Sequence, residues 1–218
     1  MVMGLLCNAS ADPCCIAKTD VKAAFQPLSR EQAVRIFEHH SNSPVVNFSP
    51  YLRFQYDTPS KLLVRVGNDV VDVIMSSEGV IQGRSSSGSV FPLCTHVIIV
   101  GLMQYIKQQH LSVMIFELQD DVFFVGQVSH VGLTVVFFNS LMKLFLNLES
   151  ETSKLALLYG PSSCITIPAA VISLVNSVGT MNLFTGTMPA LGGIISYPEP
   201  HHQIAGLDAL PIDLPHNR

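Results

Sequence analysis

Two β-rich runs on either side of an adjacent pair of aspartates constrain the fold of this chain most strongly. Residues 112–116 and 122–125 are rich in valine, isoleucine and phenylalanine, and the segment ELQDD between them ends in Asp120 and Asp121. Two short apolar runs joined by a few polar residues are typical of a β-hairpin. The sequence therefore predicts a hairpin that carries two carboxylates at its tip.

Other segments predict strands and helices before and after this hairpin. Residues 14–21 have strand character and include Asp20 near their end. Ser29, with Gln32 three residues later, fits a capping box at the start of a helix that stops before Pro44. This part of the chain therefore reads as a strand followed by a helix.

The middle of the chain predicts a second hairpin and a long helix. Residues 62–66 and 70–75 flank the turn sequence GND. An apolar helix is expected from Ser87 or Ser89 to about residue 109. Periodicity does not decide between a helix and a buried strand for residues 133–148.

The composition excludes several classes of protein. Of the 218 residues, 48% are hydrophobic and only 13% are charged, against a usual share of about 25% charged. This argues against a disordered chain, a collagen and a coiled coil. The net charge of −4 argues against a free-standing basic nucleic-acid binder. It does not exclude a metal site lined by carboxylates.

The hydropathy raises the question of membrane insertion, because its mean value is +0.40. The apolar stretch of residues 90–106, which contains no Asp, Glu, Lys or Arg, is shorter than the roughly 20 residues that a spanning helix needs. Polar residues interrupt the run 122–148. We therefore expect no stable membrane span. The five cysteines form no CxxC pair, which indicates reduced thiols in an intracellular protein.

The sequence lacks the motifs of a histidine metal site, a serine hydrolase and a phosphate-binding loop. The pairs at 39–40 and 201–202 are adjacent histidines, which point apart in a helix or strand and make a poor metal-binding face. The sequence contains no G-x-S-x-G elbow and no phosphate-binding G-x-x-x-x-G-K-[ST] loop. The acidic residues remain the candidates for chemistry.

Asp20, Asp120 and Asp121 lie at strand ends from separate segments, and such carboxylates can converge on one edge of a sheet. There they could hold two divalent cations about 4 Å apart, which clamp the attacking and leaving oxygens of a phosphoryl transfer. A purely conformational explanation of the aspartates at the hairpin tip stays open, because turns favour aspartate. Chance also gives roughly one adjacent acidic pair in a chain with this many acids.

The order of several segments resembles reverse transcriptases of the non-LTR retrotransposon kind. The similar segments, each modest alone, are DVKAAF with LSRE (20–25 and 28–31), GVIQG (79–83), LQDDV with VG (118–122 and 125–126), the stretch 147–160, and GTMPALGG (186–193). The resemblance covers residues 14–195. It implies an α+β polymerase palm, an antiparallel sheet with helices packed on one face, with fingers and thumb largely missing.

The resemblance also implies roles for individual residues in RNA-templated DNA synthesis. Asp20 and Asp120 would be ligands of two Mg²⁺ ions, or of Mn²⁺, with Asp121 a weaker ligand or an orienting group. Lys154 would protonate the pyrophosphate leaving group. Phe25 would stack under the sugar of the deoxynucleotide. For Lys154 a solvated lysine, and for Phe25 a core phenylalanine, are the alternatives.

Gln82, Gly83 and Arg84 would lie on the template and incoming-nucleotide side, where a simple helix entry is the alternative. Family members usually continue Gln-Gly with Asp-Pro, whereas this chain has Arg84 and Ser85. The family commonly has tyrosine at the position of Leu118. The first departure places a positive charge beside the predicted site.

The partners that the resemblance implies are an RNA template, a DNA primer, a deoxynucleoside triphosphate, and the fingers, thumb or endonuclease parts of a parent polyprotein. We expect a frayed start over residues 1–13, the palm over 14–195 and a loop or disordered tail over 196–218. A retrotransposon of a eukaryote would place the protein in the nucleus. We expect the palm fold without expecting this chain to polymerise by itself.

Two non-catalytic alternatives remain open. One is a membrane-associated protein built on the apolar runs 90–106 and 122–148. The other is an interaction module that keeps the palm fold and has lost metal binding.

Overall fold

A five-stranded sheet forms the centre of the computed structural model, which describes residues 13–22, 25–39, 44–80, 87–118, 121–160, 167–179, 181–190 and 193–196. The expected frayed start, except Pro13, and the expected tail from residue 197 lie outside these residues. The elements in chain order are β1 (Cys14–Asp20), α1 (Arg30–His39), α2 (Ser49–Tyr56), β2 (Ser60–Val66), β3 (Asp69–Ser76), α3 (Ser87–Gln108), β4 (Val113–Leu118), β5 (Asp121–Gln127), α4 (Val128–Leu141), β6 (Ala156–Leu158), α5 (Ala169–Val178), β7 (Asn182–Phe184), β8 (Thr187–Ala190) and β9 (Gly193–Ser196).

The sheet has the strand order β4-β5-β1-β6-β7 and is mixed. The pairs β4/β5, β5/β1 and β1/β6 are antiparallel, as predicted, but β6 and β7 are parallel. The prediction of a wholly antiparallel sheet was therefore wrong for its last strand. The physical reason is α5, which lies between β6 and β7 in the chain and provides the crossover that a parallel pair requires. The broader prediction of an α+β fold is confirmed.

The two faces of the sheet are covered differently. On one face, alternate strand residues such as Ala17, Phe124 and Leu157 belong to the main hydrophobic core, together with side chains from α1, α3, α4 and α5. On the other face, which we call the second face, Ile16 and Phe123 pack with side chains of the β8–β9 hairpin. Because side chains alternate along a strand, Lys18 and Asp20 share the second face with Ile16.

Several local predictions are confirmed by the described residues. Helix α1 begins at Arg30, and the Ser29 hydroxyl accepts a hydrogen bond from the Gln32 backbone N–H at 3.3 Å. In a complete capping box the Gln32 side chain would accept a hydrogen bond from the Ser29 backbone N–H. Here that N–H donates to the carbonyl of Leu146 at 3.2 Å. The β2–β3 and β4–β5 hairpins form where the turn signals predicted them.

The ambiguity over residues 133–148 is resolved as a helix. Helix α4 continues through one π-helical turn, Met142–Leu146, and ends at Asn147, whose φ of 56° is left-handed. Its buried side chains contact the main core of the sheet. Packing against the sheet, which the sequence pattern did not reveal, therefore decides the conformation of this segment.

Within the described part of the chain, two helices are long and apolar enough to cross a membrane by length and composition, Gly88–Gln108 and Val128–Leu146. Both contribute side chains to the main core, among them Phe91, Leu102 and Phe138. A core helix of a soluble protein passes the same test of length and hydropathy, so these helices are weak indicators of a membrane span.

Gly126 on β5 is a point at which the sheet permits no side chain. A Cβ atom there would lie 2.2 Å from the carbonyl oxygen of Ser112, a backbone atom that cannot simply rotate away. We expect Gly126→Ala to lower the free energy of unfolding by about 1–3 kcal/mol, measured by urea denaturation. Gly101→Ala is the matched control, because a Cβ atom at that position would meet no other atom within 4 Å. That helical change should be neutral or stabilising, and equal destabilisation by both would contradict the packing.

Candidate active site

Two of the three predicted carboxylates lie directly opposite each other on neighbouring strands. In the antiparallel register of β1 and β5, Asp20 pairs with Asp121. Such opposed residues have Cα atoms about 4.5–5.5 Å apart and side chains on the same face. Asp20 is only 7% exposed. The fold thus joins two carboxylates that are far apart in the sequence at one edge of the second face.

Each of these carboxylates forms an ion pair with a lysine. The Lys18 Nζ lies 2.9 Å from Oδ1 of Asp121, and the Lys154 Nζ lies 2.6 Å from Oδ2 of Asp20. The four side chains together carry no net formal charge. The close approach of two like charges is therefore compensated within the fold itself.

Lys154 reaches Asp20 because the loop before β6 is bonded to the end of β1. The Glu151 backbone N–H donates to the carbonyl of Asp20 at 2.8 Å, and the Asn182 side-chain amide donates to the carbonyl of Ser153 at 2.8 Å. The Lys154 side chain itself is 61% exposed. This places an exposed ammonium, predicted as a proton donor, next to one predicted metal ligand.

Lys18 is a residue of the site that sequence reasoning missed. Its side chain is only 17% exposed, and its ammonium lies 6.0 Å from the centre of the Phe123 ring. The available signal was the spacing of two between Lys18 and Asp20, which puts both on one face of a strand. Reasoning from the acidic residues alone does not reveal which basic residues share their face.

The donor chemistry of the site fits divalent magnesium or manganese. Carboxylate oxygens are hard ligands, and Mg²⁺ keeps several waters, so a few carboxylates can hold it. Among the described residues, no group of three His, Cys, Asp or Glu side chains is close enough to hold a metal ion. The third predicted ligand, Asp120, lies outside the described residues, as do Gln82, Gly83 and Arg84.

The chain that follows Asp20 is bonded to the segment that leads to Gln82. The Val80 N–H donates to the carbonyl of Phe25 at 2.8 Å, and the Gly79 N–H donates to the carbonyl of Leu28 at 3.0 Å. Gly79 has a φ of 72°, and a Cβ atom there would lie 2.2 Å from the carbonyl oxygen of Gln26. A glycine is therefore required at this contact.

Arg30 reinforces the same contact from helix α1. Its Nε donates to the carbonyl of Gly79 at 2.6 Å, and its Nη1 donates to the carbonyl of Ser76 at 2.8 Å. The guanidinium lies 5.1 Å from the centre of the Tyr56 ring, and Arg30 is 4% exposed. A buried, hydrogen-bonded arginine thus fastens the segment before the predicted nucleotide loop to the helix after Asp20.

Phe25 is partly buried and packs against the main core. Its ring centroid lies 5.5 Å from that of Phe91 on α3. The Phe25 ring therefore takes part in the packing of the core, at least on the side that contacts Phe91. The proposed stacking under a nucleotide sugar stays a prediction.

Glu117 is the second-last residue of β4, close to the predicted site, but it is a poor candidate for a metal ligand. It alternates with the exposed side chains of Phe116 and Leu118, and its carboxylate accepts a hydrogen bond from the Thr95 hydroxyl of α3. Burial raises the pKa of Glu117, while the hydrogen bond from Thr95 and the charge of His96 act in the opposite direction. This carboxylate therefore belongs to the packing between β4 and α3.

The raised pKa of Glu117 predicts a pH-dependent cost to stability. A carboxyl whose pKa is higher in the folded state favours folding below its ordinary value of 4.5, and this contribution is lost as the pH rises through the folded-state pKa. We expect Glu117→Gln to raise the free energy of unfolding at pH 7 by at most about 1 kcal/mol, since solvent screens a half-buried group. The gain should shrink towards pH 4.5.

Denaturant unfolding at the two pH values measures this effect, with Glu78→Gln as the control because Glu78 is exposed. A gain of equal size at pH 4.5 and pH 7 would contradict the assignment to the Glu117 carboxyl.

Comparison with known proteins finds similarity in structure but not in sequence. No known protein family and no curated protein matches the sequence. A solved structure of telomerase from Candida albicans, in complex with the TWJ fragment of telomeric RNA, is similar with a TM-score of 0.55 and 16% identity. Apo telomerase from Candida tropicalis, truncated from its C-terminal domain, is similar with a TM-score of 0.51 and 13% identity.

These similarities cover much of this chain but a minor part of each telomerase. The first covers 67% of this chain and 28% of the telomerase, and the second covers 84% and 34%. At such identities the comparison shows the fold alone. The chain therefore resembles a part of a reverse transcriptase, and the retrotransposon type is not distinguished.

Proposed function

We propose that this chain is the palm of a reverse transcriptase, an RNA-directed DNA polymerase that transfers a nucleotide from a deoxynucleoside triphosphate to a primer 3′-hydroxyl. The observation that carries the proposal is the register of β1 and β5, which sets Asp20 opposite Asp121. The similarity of the fold to part of telomerase supports the same reaction class. The non-LTR retrotransposon type and the nuclear location that it implies rest on the sequence motifs.

Asp20 and Asp120 would hold two Mg²⁺ or Mn²⁺ ions in this proposal, with Asp121 as a weaker ligand or orienting group. Such cations, when bound, activate the attacking hydroxyl and neutralise charge on the phosphates. Lys154 is suited to deliver a proton to the pyrophosphate leaving group, because its exposed ammonium lies beside Asp20.

The nucleotide would lie between the end of β1 and the loop of Gln82, Gly83 and Arg84. The hydrogen bond from the Val80 N–H to the carbonyl of Phe25 supports this, because it joins the segment just before Gln82 to the segment just after Asp20. Phe25 would form the floor under the sugar, and its contact with Phe91 would hold the ring in place.

The proposed partners are an RNA template and a DNA primer. The similar Candida albicans telomerase was solved with an RNA fragment, which supports nucleic-acid binding by a chain of this fold. The formal net charge of this chain is −4, so phosphate contacts elsewhere in a larger polymerase would supply much of the affinity. We therefore propose that fingers, thumb or endonuclease parts act together with this palm.

The function is tested by primer extension on an RNA template with Mn²⁺ or Mg²⁺, using this chain assembled with the fingers and thumb that the proposal requires. We expect Asp20→Asn to lower the extension rate by about a hundredfold or more, because it weakens a metal ligand without changing side-chain size. The same loss is expected for Asp120→Asn. Asp69→Asn, at the exposed first residue of β3, is the matched control and should leave the rate unchanged.

An undiminished rate in Asp20→Asn would contradict the metal-ligand role. Extension that is lost equally in Asp69→Asn would indicate damage to the fold and not to the site. Circular dichroism of each variant separates these two outcomes.

A non-catalytic interaction module is the second candidate. It is favoured by the β2–β3 hairpin, which exposes apolar side chains on both strands: Leu62, Leu63, Val64, Val66, Val70, Val71, Val73, Ile74 and Met75. An exposed apolar patch of this kind commonly marks a protein contact. A folded chain that shows no Asp20-dependent Mn²⁺ binding would favour this candidate, because it would keep the palm fold without the metal site.

A further inference from the structure

We propose that Lys18 is the internal counter-ion of the metal site and competes with a divalent cation for the carboxylate of Asp121. Lys18 would thereby set the metal affinity of the site. The inference rests on the proposed function, because it assumes that a cation binds at Asp20 and that Asp121 is its weaker ligand.

The strand register holds Lys18 in this position. Lys18 stands opposite Phe123 on β5 and opposite Ala156 on β6, two residues before Asp20 on the same face. From there its side chain reaches diagonally along β5 to Asp121, with its Nζ 2.9 Å from Oδ1. Both side chains of this pair are 17% exposed, so water screens their interaction only partly.

Repulsion between the Asp20 and Asp121 carboxylates explains what Lys18 does when no metal ion is bound. Asp20 and Asp121 face each other directly across two strands, and like charges in this arrangement repel. The ammonium of Lys18 offsets this repulsion. A divalent cation that binds the same carboxylates must either displace the ammonium or remain close to it, and both reduce the affinity for the metal.

Lys18 should have a larger effect than Lys154, the other lysine of the site. The Lys154 side chain is 61% exposed and can turn into solvent when a cation enters. The Lys18 side chain is only 17% exposed, and its ammonium contacts Asp121 and lies 6.0 Å from the centre of the Phe123 ring. It therefore has fewer positions in which its charge is far from the metal.

The test is the affinity of the 218-residue chain for Mn²⁺, measured without nucleotide or primer by the electron paramagnetic resonance signal of free Mn²⁺. We expect Lys18→Met to bind Mn²⁺ about tenfold more tightly than the natural chain, because one positive charge beside the cation is removed. Lys107→Met is the matched control. It removes the same charge at the exposed end of α3, near the start of β4 and away from the strand ends that carry Asp20 and Asp121, and should change the affinity less than about twofold.

Each outcome decides the proposal. Tighter binding in Lys18→Met, lost on the further change Asp20→Asn, supports it. Unchanged or weaker binding in Lys18→Met, with Asp20-dependent binding in the natural chain, overturns the role of Lys18 and leaves the metal site standing. No Asp20-dependent Mn²⁺ binding in any variant overturns both proposals. Lys18→Gln replaces Lys18→Met if circular dichroism shows that the methionine variant is unfolded.

Discussion

The register between β1 and β5 is the constraint on which the site depends. A shift of one residue would move the side chains of a strand to the opposite face. The alternation of Ala17 and Phe124 into the main core, with Ile16 and Phe123 on the second face, opposes such a shift. Burial of apolar side chains on both faces therefore determines which acidic residue faces Asp20.

The balance of charge follows from the same register. Two carboxylates at one edge of a sheet would destabilise the fold if they stood alone, and here each has a lysine within hydrogen-bonding distance. A site that balances its own charge can fold before any cation arrives. In the proposed site, metal binding would therefore be an exchange of cations, in which the partly buried Lys18 resists displacement and the exposed Lys154 yields.

The sequence predicted the elements built on local signals and missed those that depend on distant contacts. The Ser29 cap and the turns of both hairpins are local, and they form as predicted. The parallel β6/β7 pair depends on a crossover, and the Lys18–Asp121 pair depends on a register between segments about a hundred residues apart. Neither leaves a signal within a short window of sequence. The place of Asp20 near the end of a strand was predictable from residues 14–21, whereas its role as a metal ligand is a proposal that rests on the resemblance of motifs.

A crystal of this chain soaked in Mn²⁺ and measured at the manganese absorption edge would test the proposed metal site without relying on activity. We predict an anomalous peak at the edge of the second face, within ligand distance of the Asp20 carboxylate, and a Lys18 ammonium farther from Asp121 than 2.9 Å. A map with no peak there, and with both lysine pairs intact at high Mn²⁺, would contradict a metal-dependent palm.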